Sequence, residues 1–236
     1  MQGQRLERAT DFESLVGQVR GELLERLQFF KLEPRVVVDL GSGPGLGTTE
    51  LRRKFRGAQL IAVDGDFANA LAARRRQRFW RRCDAICADA ETLPLRAQSV
   101  DLVFSNMLLP HCVSPPRLFA EVQQVLRPGG LLVFSTLGPG GLQQVSSRKA
   151  DALASNPGAN ELDMPALGAA LSAAGMAEPV LDCERQDIEG VATGIEVIYG
   201  AAFGAGRPGG APDGAPGGGT EHAVPIARLR VRGKAG

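Results

Sequence analysis

Residues Val36-Val37-Val38-Asp39-Leu40-Gly41-Ser42-Gly43-Pro44-Gly45 constrain this chain more than any other stretch. A short β-branched run ends on an acidic residue and then breaks into glycines at every second position. Thr48-Thr49-Glu50-Leu51-Arg52-Arg53 follows with helical character. In that order the pieces are a buried strand, a tight turn and a helix N-terminus. Backbone approaches a ligand closely only where Cβ atoms are missing. The turn therefore predicts a cofactor cradle at the carboxyl end of a first strand.

The rest of the chain repeats the same alternation. Phe12, Leu15, Val16, Val19, Leu23, Leu24, Leu27 and Phe30 recur at helical spacing, which predicts a leading amphipathic helix over 12–31, ended by Pro34. After the first strand (36–40) and a helix at about 46–54 come a strand at 59–64 and a helix at 67–79. A short strand near 84–88, a strand at 100–105, a helix at about 115–126 and a strand at 131–136 complete the series, with Arg127-Pro128-Gly129-Gly130 as the breaker before the last strand. Such alternation implies βαβ units, a parallel sheet and helices on both faces. A further helix at 163–175 precedes two strand-like runs, about 179–188 and 195–203, joined through Gly190-Val191-Ala192-Thr193-Gly194. That spacing predicts an antiparallel hairpin. The expected fold is α/β: doubly wound, with a mostly parallel seven-stranded sheet closed by the C-terminal hairpin. A helical lead (1–34), a main domain (35–203) and a Gly/Pro-rich segment with a tail (204–236) are the expected divisions. Residues 204–219 carry too little apolar surface to order themselves.

Composition removes several function classes. A formal net charge of +1 gives no global field for nucleic acid. No apolar run reaches the roughly 18–20 residues of a membrane span. Met1-Gln2-Gly3-Gln4-Arg5-Leu6-Glu7 lacks an apolar signal core, so a cytoplasmic location is expected. Cysteines at 83, 87, 112 and 183 form no Cys-x-x-Cys pair, and the chain has 2 histidines, so no metal site is expected and the thiols are expected to be buried. Arginines at 74, 75, 76, 78, 81 and 82 read as a solvated helix end complementing the C-terminal dipole. The same cluster could also speed the docking of an acidic carrier protein.

The glycine spacing narrows the cofactor. A nicotinamide-dinucleotide fingerprint needs glycine at the first, third and sixth positions. Counted from Gly41, the sixth position is Leu46. Asp64 closes the second strand, where a carboxylate can accept from both ribose hydroxyls. Together the turn and Asp64 imply an adenosyl cofactor.

Asp39-Leu40-Gly41-Ser42-Gly43-Pro44-Gly45 resembles the first motif of class I S-adenosylmethionine-dependent methyltransferases, a Rossmann-like family. Ala88-Asp89-Ala90-Glu91-Thr92-Leu93-Pro94-Leu95 is similar to the family's third-strand loop, and Ser99-Val100-Asp101-Leu102-Val103-Phe104-Ser105-Asn106 to its fourth strand. Val125-Leu126-Arg127-Pro128-Gly129-Gly130 matches the turn before its fifth strand. The resemblance covers residues 35–137. It implies that Gly41, Gly43 and Gly45 face the methionine part of S-adenosyl-L-methionine, that Asp39 belongs to the same cofactor site and that Asp64 holds the ribose. It also implies that Asp89 accepts from the adenine amino group with Ala90 beside the ring, and that residues 105–107, Ser105 first among them, close the pocket near the sulfonium.

Two further stretches, Ser105-Asn106-Met107-Leu108-Leu109-Pro110-His111-Cys112 and Phe134-Ser135-Thr136-Leu137-Gly138-Pro139-Gly140-Gly141-Leu142, resemble the malonyl-acyl-carrier-protein O-methyltransferases of biotin synthesis. The acceptor implied is the free carboxylate of a malonyl thioester on acyl carrier protein, or a small-molecule carboxylate. A carboxylate with a pKa near 4 is ionised at neutral pH and needs no general base. No catalytic residue is therefore assigned, and His111 is a weak candidate. That branch usually carries a helical insertion between its last two strands, which here nearly abut across Gly190 to Gly194, and the lead before the first strand is short. A shortened lid leaves two other readings open: a methyltransferase or hydroxylase with another acceptor, as in a similar complex I assembly factor that hydroxylates arginine, and a non-catalytic cofactor-binding protein. Fold alone does not choose among them.

Overall fold

The computed structural model describes residues 3–76, 83–139, 141, 163–186 and 194–205, with side chains from Phe12 onward. Helix α1 (Gly3–Arg26) runs into a 3-10 turn (Leu27–Phe29) and leads to β1 (Val36–Leu40). Then come α2 (Leu46–Lys54), β2 (Gln59–Asp64), α3 (Phe67–Arg76), β3 (Cys83–Cys87) and β4 (Val100–Asn106). A second 3-10 turn (Leu109–His111) precedes α4 (Pro115–Val125), β5 (Leu126–Leu137), α5 (Met164–Ala173), β6 (Met176–Gln186) and β7 (Ile195–Gly204).

The strands form one seven-stranded sheet in the order β3-β2-β1-β4-β5-β7-β6. The first five are parallel, and β7 pairs antiparallel with both β5 and β6. From β1 the chain steps outward through β2 and β3, then returns to the other side of β1 as β4. That reversal opens a crevice at the carboxyl ends of β1 and β4, where open α/β sheets bind ligands.

Central strands are buried on both faces, so their sequences read as apolar runs. Val37, Leu102 and Val133 pack toward Leu15, Val19, Leu23 and Leu51 of α1 and α2. Val38, Val103 and Leu132 pack toward Leu118, Phe119 and Val122 of α4 and Leu167 and Leu171 of α5.

Helix α1 is also fastened by polar groups. Arg26, nearly buried, donates to Asp182 (3.0 Å) and Glu184 (2.7 Å) of β6 and lies 4.1 Å above the Tyr199 ring of β7. Tyr199 donates its hydroxyl to Glu22 at 2.5 Å, and Gln186 donates to the same carboxylate at 2.6 Å. Burial and the Glu22 carboxylate push the Tyr199 phenol well above its ordinary range, so it stays a donor.

Some element bounds differ from the expectation. Strand β5 begins at Leu126, ahead of the Arg127-Pro128-Gly129-Gly130 segment. Pairing with β4 moves from Val100 opposite Leu126 to Leu102 opposite Leu131, so the breaker is looped out as an irregularity within the strand. Proline lacks the ladder donor and Gly129 takes φ +75°, which local sequence reads as a stop. Cys87 is exposed rather than buried, because β3 is an edge strand covered on one side. The hairpin link at 187–193, the basic positions 78, 81 and 82, and the Gly/Pro-rich stretch beyond 205 lie outside the described residues.

Candidate functional site

At the crevice the glycine turn is pinned to the end of β2. The amides of Gly41 and Ser42 both donate to the Val63 carbonyl, at 2.8 and 3.0 Å. The Gly43 amide donates to Asp64 Oδ2 at 2.7 Å. The glycines share positive φ but have different surroundings. A Cβ on Gly43 (φ +52°) would meet nothing within 4 Å, so this position opens to the cavity. A Cβ on Gly45 (φ +84°) would lie 2.9 Å from the Ala73 Cα, so this glycine lets α2 press against α3.

The resulting cavity measures about 990 Å³. Asp39, Gly41, Gly43, Asp64, Asp89, Ala90 and His111, all marked from sequence, line it. Gly45 and Ser105 do not. Gly45 faces α3, as above. Alternation along β4 puts Phe104 and Asn106 on the cavity side and Ser105, buried with an unpartnered hydroxyl, on the other.

Asp39 is 3 % exposed and accepts from the Thr48 hydroxyl at 2.5 Å. Burial raises its pKa to about 6, against the opposing effects of the Thr48 bond and the Arg20 charge. Asp64 Oδ1 accepts from the Asp66 amide (2.9 Å) and the Asn69 side chain (3.2 Å). With Gly43 on Oδ2, the carboxylate keeps one lone-pair site for a ligand hydroxyl, not the two expected from sequence. Asp89, exposed on the cavity wall, uses one oxygen to cap the Glu91 amide at 2.9 Å. Glu91, almost buried, accepts from the Val113 and Ser114 amides at 2.6 and 2.8 Å and ties the β3 loop to the start of α4.

Sequence reasoning did not mark the α1 wall or Leu108. Phe12, Glu13, Val16 and Arg20 of α1 face the cavity, and Leu108 closes it beyond β4 together with Asn106 and Met107 of the expected 105–107 segment. Asn106 donates to the Val16 carbonyl (3.1 Å) and accepts from the Ser135 hydroxyl (2.9 Å), joining α1, β4 and β5. Met107 takes φ +57°, a conformation that costs a non-glycine residue on the order of 1–3 kcal/mol and gathers at functional sites. The α1 periodicity signalled a buried stripe but could not say that its first turns would wall a cavity.

The Cys112 thiol is not tuned for nucleophilic work. Burial, with Glu91 and Asp89 nearby, pushes the Cys112 thiol up to about 12, so it stays neutral near pH 7. His111 is exposed at the rim. Among the described residues no group of three or more His, Cys, Asp or Glu side chains is placed to hold a metal ion.

Comparison with known proteins decides the family. Residues 38–134 match the family model described as a methyltransferase domain. That stretch of the chain is a methyltransferase domain. Around it, the chain is 38% identical over 192 residues to a malonyl-[acyl-carrier protein] O-methyltransferase of Methylovorus sp. (strain MP688), covering 77% of this chain and 65% of the relative. It is 35% identical over 187 residues to the protein of that name from Gallionella capsiferriformans (strain ES-2), covering 75% and 64%. The chain thus spans a little under two thirds of the relatives' lengths. A geranyl diphosphate C-methyltransferase from Streptomyces coelicolor A3(2), solved with S-adenosyl-L-homocysteine, superposes with a TM-score of 0.65 at 16% identity, covering 85% of this chain and 84% of that one. The methyltransferase domain accounts for the strand order, the glycine turn and the crevice. The residues present fit the S-adenosyl-L-methionine that the sequence resemblance implies. Gly43 leaves space for close approach, and Asp64 and Asp89 keep acceptor sites free beside it.

Proposed function

We propose that this chain is an S-adenosylmethionine-dependent methyltransferase that O-methylates the free carboxylate of a malonyl thioester carried on acyl carrier protein. The observation that carries the reading is the cavity itself. It has cofactor-type acceptors along the β1, β2 and β3 ends, and the one carboxylate described there with a raised pKa, Asp39, lies in the strand that leads into the glycine turn. A carboxylate acceptor is ionised at neutral pH and asks for no activated base. The names of the 35–38% identical relatives support the malonyl acceptor.

In this reading Asp39, Gly41 and Gly43 hold the methionine end, Asp64 the ribose, and Asp89 and Ala90 the adenine. When bound, the cofactor supplies a methyl group already activated on a sulfonium, with a neutral thioether as leaving group. An ionised acceptor carboxylate would take that methyl group without a proton transfer, so no side chain of this site would be asked to act as a base. The protein contributes alignment and the exclusion of water. Asn106, Met107 and the Phe12–Val16 face of α1 supply that closing wall.

Methyl transfer assayed over malonyl carrier protein, malonyl-coenzyme A and free malonate tests the proposal. Ester formation fastest on the carrier-bound thioester is expected. Transfer to none of the three with the cofactor bound would overturn it. Complementation of a strain lacking the biotin-pathway methyltransferase tests the physiological role.

A further inference from the structure

We infer that Ser135 of β5 is a positioning residue for the methyl-transfer end of the cavity, acting through Asn106 and Met107, an inference that rests on the cofactor reading above. On the side of the sheet that meets α1, three rows of side chains cross β4, β5 and β7. Leu102, Leu131 and Phe203 form the first row, and Phe104, Val133 and Ala201 the second. Both are apolar. The third row, at the carboxyl end of β4, is Asn106, Ser135 and Tyr199. Ser135 is fully buried and sits one strand behind the cavity wall that Asn106 forms. Burying polar groups carries a cost that an aliphatic row does not. The change of chemistry at the cavity's edge therefore calls for a reason beyond packing.

A serine hydroxyl has one proton and two lone pairs. Ser135 gives its proton to Asn106 Oδ1 at 2.9 Å and accepts from the Met107 amide at 3.1 Å. Those two bonds shape the wall. With its oxygen on Ser135, Asn106 turns its amide nitrogen to α1 and donates to the Val16 carbonyl at 3.1 Å. The Met107 N–H lies between the Ser135 hydroxyl and the Ser135 carbonyl, the latter at 3.0 Å. Met107 holds φ +57° there, a conformation that persists only where the surroundings over-determine it. Asn106 and Met107 both line the cavity, at the end assigned above to the sulfonium. Methyl transfer needs sulfur, carbon and acceptor oxygen in line, and a misplacement on the order of 1 Å costs about 100-fold. A buried network with its bonds satisfied is rigid enough to hold such a wall in place.

Turnover on the malonyl acceptors, and calorimetry with S-adenosylmethionine and S-adenosylhomocysteine, are run on wild type, Ser135→Ala, Ser135→Thr and Thr136→Val. Thr136 is the control: it is also buried, but alternation along β5 puts its hydroxyl on the opposite face from Asn106. Ser135→Ala is expected to lower kcat by about 10- to 100-fold while acceptor KM and S-adenosylhomocysteine affinity stay within about threefold. Ser135→Thr keeps the hydroxyl and should recover most of kcat, and Thr136→Val should leave kcat within about twofold. Ser135→Cys, close in size and a weak donor, carries the test if the alanine variant does not fold. An unchanged kcat in Ser135→Ala would overturn the inference. An equal loss in Thr136→Val would make the β5 hydroxyls merely structural and overturn it as well. A wild type that binds the cofactor but methylates no malonyl acceptor overturns the malonyl reading alone, and the ligand pair then decides. Ser135→Ala should weaken S-adenosylmethionine by about 3- to 10-fold relative to S-adenosylhomocysteine, and equal effects on the two would overturn the inference.

Discussion

Asp39 carries the most heavily perturbed carboxylate described in the cavity, and its pKa is a statement about stability. The folded value is about 6 against an ordinary value of 3.8. Between those values the folded chain holds a proton that the unfolded chain has released. Its contribution to stability is therefore full below about pH 4 and is lost as pH rises through 6, by an amount on the order of 3 kcal/mol. Replacing Asp39 with Asn removes that slope. Denaturant midpoints of wild type and variant across pH 4–8 should converge at the acid end and separate in the variant's favour above pH 6. A cationic ligand beside Asp39 favours its ionised form, so cofactor binding near pH 6 should release protons, read from calorimetry in buffers of different ionisation enthalpy. Asp64→Ala tests the ribose contact at the same scale. It should weaken S-adenosylhomocysteine by roughly 1–3 kcal/mol, and an unchanged affinity would remove Asp64 from the site.

Among elements, the glycine turn and α1 make opposite demands. Gly45→Ala sets a side chain at φ +84° against the Ala73 backbone. The backbone conformation alone costs about 1–2 kcal/mol, and the clash adds to it, so the melting midpoint should fall clearly. Arg26→Met at the other end of α1 leaves Asp182 and Glu184 unpaired. Both carboxylates are about 30% exposed and recover water, so a loss of roughly 1–3 kcal/mol is expected, short of a fully buried pair. Increased proteolysis within α1 before global unfolding would locate that loss. The two cases also mark what could be read from the sequence. Strand β1, the turn, α2 and β2 fall where the pattern put them, because glycine placement and β-branched runs are local signals. The cavity side of α1 was hidden, since periodicity gives a helix its apolar face without naming what that face meets. Ser105 was assigned to the pocket from a motif, while its orientation depends on the parity of β4. Asp64 was expected to be open to two hydroxyls, and bonds from Gly43 across the turn and from Asp66 and Asn69 nearby take most of its acceptor capacity.

For the whole molecule, binding and folding are one equilibrium. A ligand at 100 times its Kd adds about 2.7 kcal/mol, which for a domain of this size raises the melting midpoint by roughly 5–10 °C. Thermal shift with S-adenosylmethionine should show that rise, and Asp64→Ala should shrink it. Among the described residues no helix is long and apolar enough to cross a membrane. The cavity draws its walls from distant parts of the chain. Helix α1 is bolted by Arg26, Glu22 and Tyr199 to the last two strands, and only then does its first half cover the glycine turn. During synthesis, β1 to β4 leave the ribosome long before β7 does. A nascent chain stopped short of Ile195 owns the cradle but has no seat for the helix that covers it, so ligand retention becomes a property of the completed chain.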